Sequence, residues 1–111
     1  MKDPNSPVCQ TISELLSRIG DKWSVLVVST LAEGGKRFNE LRREIPAVSQ
    51  RMLTLTLRNL ERDGLVSRTV TPSIPPRVDY ALTDRGRSLK PVLQAMEEWA
   101  IQADENRGVM Q

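Results

Sequence analysis

Histidine is missing altogether from these 111 residues. Its absence removes the commonest general base and the commonest metal ligand, so neither an enzymatic site nor a metal site has its usual residues. Cysteine occurs once, as Cys9, which excludes an intrachain disulfide and any CxxC motif. No Gly-rich phosphate loop or other cofactor motif is present, and no cofactor is expected. The longest nearly apolar run, Trp23 to Ala32, is too short to span a bilayer. The first residues, Met-Lys-Asp-Pro-Asn-Ser-Pro, carry no signal-peptide core, so no membrane association and a cytoplasmic address are expected.

What is there is a charge asymmetry. The formal net charge is only +2, yet residues 36–90 carry 12 Lys and Arg against 6 Asp and Glu. The flanks are mildly acidic, at −1 for residues 1–35 and −3 for 91–111. A basic middle on a neutral-to-acidic scaffold suits a polyanion-binding face. Within that middle, Ser49-Gln-Arg-Met-Leu-Thr-Leu-Thr-Leu-Arg-Asn-Leu-Glu-Arg-Asp-Gly-Leu65 reads as one helix with two unlike sides. At about 100° per residue, Leu53, Leu57 and Leu60 fall within about 60° of one another. Arg51, Thr54, Leu55, Arg58 and Arg62 lie roughly 100–200° away. A leucine stripe anchors such a helix in a core and turns its cations outward.

The surrounding order gives the helix a context. Residues 1–8 read as a flexible arm before a single domain, 9–111. Thr11, with Glu14 as capping-box partner, begins a first helix ending near Gly20. Asp21 caps a second helix to about Ala32, with Trp23, Leu26, Val27 and Leu31 facing the core, and Gly34-Gly35 ends it. Lys36-Arg37-Phe38 suits a short edge strand. Asn39 caps a third helix that stops at Pro46. Ser49 caps the basic helix and Gly64 closes it. The period then shifts from 3.6 to 2: 65–70 and 78–82 are strands, joined by the proline-stiffened loop 71–76. Thr83 caps a last helix over about 84–106, with Pro91 imposing a bend or a fresh first turn. This is the order of a winged helix-turn-helix, mainly α with a small β-hairpin, whose second turn-linked helix enters a major groove.

Several segments, in order, carry a family resemblance: Ile19-Gly-Asp-Lys-Trp-Ser-Val-Leu26, Arg37-Phe-Asn-Glu-Leu-Arg42, Ile45-Pro46 with Ser49-Gln50, Leu60-Glu-Arg-Asp-Gly-Leu65, and Pro75-Pro-Arg-Val-Asp-Tyr-Ala-Leu-Thr83. Over about residues 9–100 the chain resembles the HxlR-type transcriptional regulators, bacterial relatives of the MarR regulators. The resemblance implies a dimeric winged-helix DNA-binding repressor or activator, of a kind that often responds to oxidants, electrophiles or metabolites. It also implies that Cys9 stands at the position of an N-terminal cysteine that senses redox state in some members. Leu55 departs from the pattern, which has a polar residue there; a methyl contact to thymine is what a leucine offers.

The expected DNA contacts are Arg37, Arg42, Ser49, Gln50, Arg51, Thr54, Arg58 and Arg77. Gln bridges adenine N6/N7 and Arg bridges guanine O6/N7. Arg37, Arg42 and Arg43 are phosphate candidates, with Glu40 and Glu44 as competing local partners. Arg77, past Pro75-Pro76, suits the minor groove or a phosphate. Leu89, Val92, Leu93, Met96 and Trp99 form an apolar stripe expected at a homodimer interface, assisted by residues 9–20; two-fold pairing doubles the readout on a pseudo-palindromic operator. Trp23 and Trp99 are more simply packing residues than a ligand pocket.

Cys9 has two readings: a thiol near a helix N-terminus, where free N–H groups favour a thiolate, or a small residue packed between helices. Three rival functions remain beside the regulator: a Cys9 thiol enzyme, a winged-helix protein-interaction module without DNA binding, and a ligand-responsive regulator in which Cys9 is structural. The cationic face of 50–62 opposes the second. RNA is disfavoured because that face carries no stacking aromatics.

Overall fold

Side-chain caps at Ser6, Asp21, Ser49 and Thr83 start four of the helices in this chain and locate its elements. The computed structural model describes residues 3–19 and 21–110, with side chains placed for 3–14, 16–17 and 21–103. Helix α1 spans Pro7–Ile19. Its cap is Ser6, whose hydroxyl accepts the Cys9 N–H at 3.1 Å. Proline at the first helical position loses no hydrogen bond, so this helix is capped at Ser6, five residues before the expected cap Thr11. Thr11 instead donates to the Pro7 carbonyl at 2.8 Å, inside the helix. Pro7 and Val8, expected in the arm, are therefore helical. The expected stop at Gly20 and residues 1–2 of the arm lie outside the described residues.

Helix α2, Lys22–Leu31, is capped by Asp21, which accepts from the Trp23 N–H at 3.0 Å. Its buried side is Ser24, Val27, Val28 and Leu31. Leu26, expected in the core, is exposed instead, because the buried stripe is centred one residue further round the helix. Strand β1, Lys36–Arg37, leads into α3, Phe38–Glu44. The expected Asn39 cap is not used. The Glu40 carboxylate accepts the Arg37 N–H at 2.9 Å, and the helix begins at Phe38. After the turn 45–49 come α4, Gln50–Arg62, strand β2, Val66–Thr71, and strand β3, Arg77–Leu82.

The three strands form one antiparallel sheet in the order β1-β3-β2. Val66 faces Leu82 at the root of the hairpin and Thr71 faces Arg77 at its outer end. Lys36 pairs with Tyr80 on the other edge of β3. The core lies where α2, α3, α4 and the hairpin root converge: Val27, Val28, Leu31, Leu41, Leu53, Leu57, Leu60, Leu65, Val66 and Leu82 are all buried. Each such side chain contributes about 1.5–3 kcal/mol relative to exposure.

The expected last helix is two. Helix α5, Asp84–Ser88, ends at Leu89, and α6 runs from Lys90 to Met110 with Pro91 in its first turn. Leu89, expected at a subunit interface, is 8 % exposed and belongs to the domain's own core. The break falls where Pro91 was expected to impose a fresh first turn, since proline has no N–H to continue the helix, and α5 is docked separately. Thr83 donates its N–H to the Leu65 carbonyl at 3.0 Å and its hydroxyl to the Gly64 carbonyl at 2.6 Å. The same hydroxyl accepts the Gly86 N–H at 3.1 Å, and Arg87 donates to the Leu82 carbonyl at 2.8 Å. Gly86 lies so close to the Leu65 carbonyl that a Cβ there would collide with it. This junction binds α5 across the end of α4 and the root of the hairpin.

The outline is elongated, 56 × 40 × 23 Å, with a radius of gyration of 16.4 Å. A compact chain of this length has about 13 Å. Among the described residues no helix is long and apolar enough to cross a membrane.

Candidate nucleic-acid interface

Helix α4 is fixed from both ends and from below. Ser49 accepts the Met52 N–H at 3.0 Å, satisfying one of the orphan donors of the first turn. Gly64, at φ 77°, turns the chain out of the helix in a left-handed conformation that suits glycine. Leu53, Leu57 and Leu60 are buried, as their spacing requires. Thr56 is buried beside them, and its hydroxyl has no hydrogen-bond partner among the described residues.

The opposite side is open. Gln50, Arg51, Leu55 and Arg58 are exposed, Thr54 is half-buried, and these five line one shallow concavity. The Thr54 hydroxyl donates to the Gln50 carbonyl at 2.9 Å, so towards a base it presents lone pairs and a methyl group. A second depression, between α4 and the sheet, is lined by Thr54, Arg58, Glu61, Arg68 and Tyr80 among others. Arg68 had no place among the expected contacts. The alternation along β2 carries the signal, because Val66, Arg68 and Val70 share the face that turns to α4.

Ion pairing sorts the cations. Lys36 sits 3.2 Å from Glu44 and 3.8 Å from Glu33, so Glu44 serves Lys36 and not an arginine. Arg77 donates its Nε to Asp79 at 2.9 Å, which ties down half of its fork. Arg87 pairs with Asp84. Among the described residues Arg37, Arg42, Arg43, Arg51, Arg58 and Arg68 make no ion pair. Uncompensated guanidinium groups thus collect on α3, α4 and the hairpin root. Exposed cations of this kind have no internal ion pair to break before meeting phosphate or a base edge.

The remaining expected residues fall elsewhere. Cys9 is half-buried in the first turn of α1. Trp23 is half-buried against the core, with the Lys22 ammonium 4.8 Å from its ring centre. Val92, Met96 and Trp99 are exposed on α6, Trp99 at 73 %, while Leu93 packs partly against the core. Leu26, Val28, Leu93, Met96 and Ala100 help to line a mostly apolar groove between α2 and α6.

Known proteins with this sequence pattern and shape are regulators. The model of the HxlR-like helix-turn-helix family matches residues 18–107. The chain is 44 % identical over 108 residues to the HTH-type transcriptional regulator YybR of Bacillus subtilis, covering 97 % of this chain and 83 % of that one. It is similar to the reduced form of the transcriptional regulator YodB from B. subtilis, with 38 % identity, a TM-score of 0.77, and 87 % and 92 % of the two chains covered. It is also similar to the redox regulator HypR in its oxidised form, with 46 % identity, a TM-score of 0.75, and 83 % and 95 % covered.

Proposed function

The chain belongs to the HxlR-like helix-turn-helix family of transcriptional regulators, and from that premise we propose that it works as a homodimer on a pseudo-palindromic double-stranded DNA operator. The observation that carries this reading is the two-sidedness of α4. Leu53, Leu57 and Leu60 are buried, and Gln50, Arg51, Thr54 and Arg58 stand together on the open side with no ion pair among the described residues. In a major groove Gln50, Arg51 and Arg58 face base edges, and Leu55 offers a methyl contact to thymine. The helix N-terminus at Ser49 and the exposed Arg37, Arg42 and Arg43 are placed for phosphates. Arg77, half held by Asp79, adds a weaker contact from the hairpin, which is the wing.

The stretched outline and the exposed Val92, Met96 and Trp99 support pairing through α6. Contiguous apolar surface of this kind is rare on a monomer, and burying it between two copies sets the spacing of two α4 helices at about 34 Å. Regulation is then positional: a change at the interface misaligns both half-sites at once. The domain is proposed to begin with α1 at Pro7 and to pair through about 9–20 and 84–106. The family reading calls for no chemistry beyond binding.

The signal we propose is an oxidant or electrophile acting at Cys9. Redox regulation is stated of the similar HypR, and Cys9 here is half-buried at a helix N-terminus, within reach of small reagents. A single cysteine per chain draws its disulfide partner from the other copy or from a small thiol. A small metabolite in the α2–α6 groove, with Cys9 structural, is the alternative signal.

The test is fluorescence anisotropy on the duplex upstream of the protein's own gene and on random duplex, from about 50 to about 200 mM salt, before and after diamide. A tight, salt-sensitive preference for the upstream duplex is expected, lost on oxidation but kept in Cys9→Ala. Preference insensitive to diamide would replace the thiol by a ligand. Absence of binding to either duplex at low salt would leave the wing and α4 as a protein-interaction module.

A further inference from the structure

The wing tip does not look like a phosphate grip. From Thr69 to Pro76 no residue is charged. Pro72, Pro75 and Pro76 have no N–H to offer a phosphate. The Ser73 hydroxyl is turned inward, donating to the Pro75 carbonyl at 2.8 Å. What the tip presents is Ile74, 102 % exposed between prolines, as open as in an isolated chain. The stiffened backbone holds this one apolar side chain outward, so the tip can offer a partner a single apolar wedge and little else.

A protein partner does not fit. A stable interface buries roughly 800 Å² on each side, and a single side chain on a narrow hairpin supplies a small fraction of that. A DNA base step does fit, since an apolar wedge acts one side chain at a time, prying open a flexible step from the minor groove. The reach is also right. Arg68, at the wing root, borders the depression shared with Arg58 and Thr54 of α4. Six residues further on, Ile74 lies at most about 20 Å away along extended chain. The minor groove adjoining a bound major groove is about half of a 34 Å turn distant.

We infer that Ile74 is a minor-groove wedge that makes the regulator sensitive to DNA deformability outside the base pairs read by α4. The inference rests on the DNA-binding reading above. The step favoured beneath the wing is a pyrimidine–purine one, TA or CA, because these unstack at least cost. Arg68 and Arg77, on opposite faces of the hairpin, straddle the groove and hold the wing against its phosphate walls.

The test is selection from randomised duplexes by the full-length protein and by Ile74→Ser, Ile74→Leu and Arg77→Ala. The wild type is expected to enrich a two-fold core flanked by TA or CA steps. Ile74→Ser should retain the core and lose the flanking preference, binding the wild-type-selected duplex roughly five- to tenfold more weakly. Ile74→Leu should retain both. An intact flanking preference in Ile74→Ser overturns the inference, and so does a preference that disappears only in Arg77→Ala. Loss of the core as well in Ile74→Ser would make the residue structural and overturn it too. Failure of the wild type to enrich any sequence strikes the DNA-binding reading itself, a result distinct from these.

Discussion

Thr56 is the residue whose position says most about the limits of pattern reading. It lies at the edge of the leucine stripe, about 40° from Leu60, and the stripe carries it into the core, hydroxyl included. A buried hydroxyl with no partner costs about 1–3 kcal/mol. Thr56→Val should therefore leave the protein as stable or up to about 1 kcal/mol more stable in urea melts; a loss of stability would show that the hydroxyl has a partner in solution. On the open side of the same helix, Arg58→Ala should lower the ratio of specific to random binding by roughly tenfold or more. Arg77→Ala should weaken both equally and only slightly, since Asp79 already holds one nitrogen of its fork. Equal losses on both duplexes for Arg58→Ala would remove its base-reading role. The buried leucines and exposed arginines of α4 were legible because period and polarity agree there. Arg68 was not among the expected contacts because the pattern of 65–70 marks it only as a strand residue; that it borders α4 depends on how the hairpin packs.

At the scale of elements, legibility followed the strength of the caps. Ser49, Asp21, Thr83 and Gly64 behave as their side chains or backbone freedom dictate, and α2, α4 and the hairpin stand where expected within a residue or two. The start of α1 falls earlier than the Thr11 cap implied, because Pro7 after Ser6 is itself a starting signal. The division of the last helix into α5 and α6 was legible in Pro91, which stands in the first turn of α6 and has no N–H to carry the helix through. What no pattern shows is the tertiary contact beneath α5, the approach of Gly86 to the Leu65 carbonyl, between residues 21 apart in the chain. That contact gives a sharp prediction. Gly86→Ala should destabilise the domain by about 1–3 kcal/mol in thermal or urea unfolding, against the usual gain from alanine in a helix. An unchanged or raised melting temperature would mean that α5 does not sit across the hairpin root as described.

The whole molecule is longer and thinner than its residue count requires, and among the described residues α6 exposes the most large apolar side chains, Val92, Met96, Trp99 and Ile101. The double variant M96E/W99E should convert a dimer to monomers in sedimentation velocity while leaving the circular dichroism of the fold intact; a persistent dimer would place the interface elsewhere. Leu89→Glu should instead unfold the chain, because that side chain is in the core. Dimensions of 56 × 40 × 23 Å also have a mechanical meaning. A body held at one end and 56 Å long multiplies angle into travel: a tilt of about 4° at one end moves the other by about 4 Å, more than the 3.4 Å between successive base pairs. Such leverage lets a rearrangement no larger than one side-chain rotamer, made far from DNA, throw the reading head a whole base pair out of step.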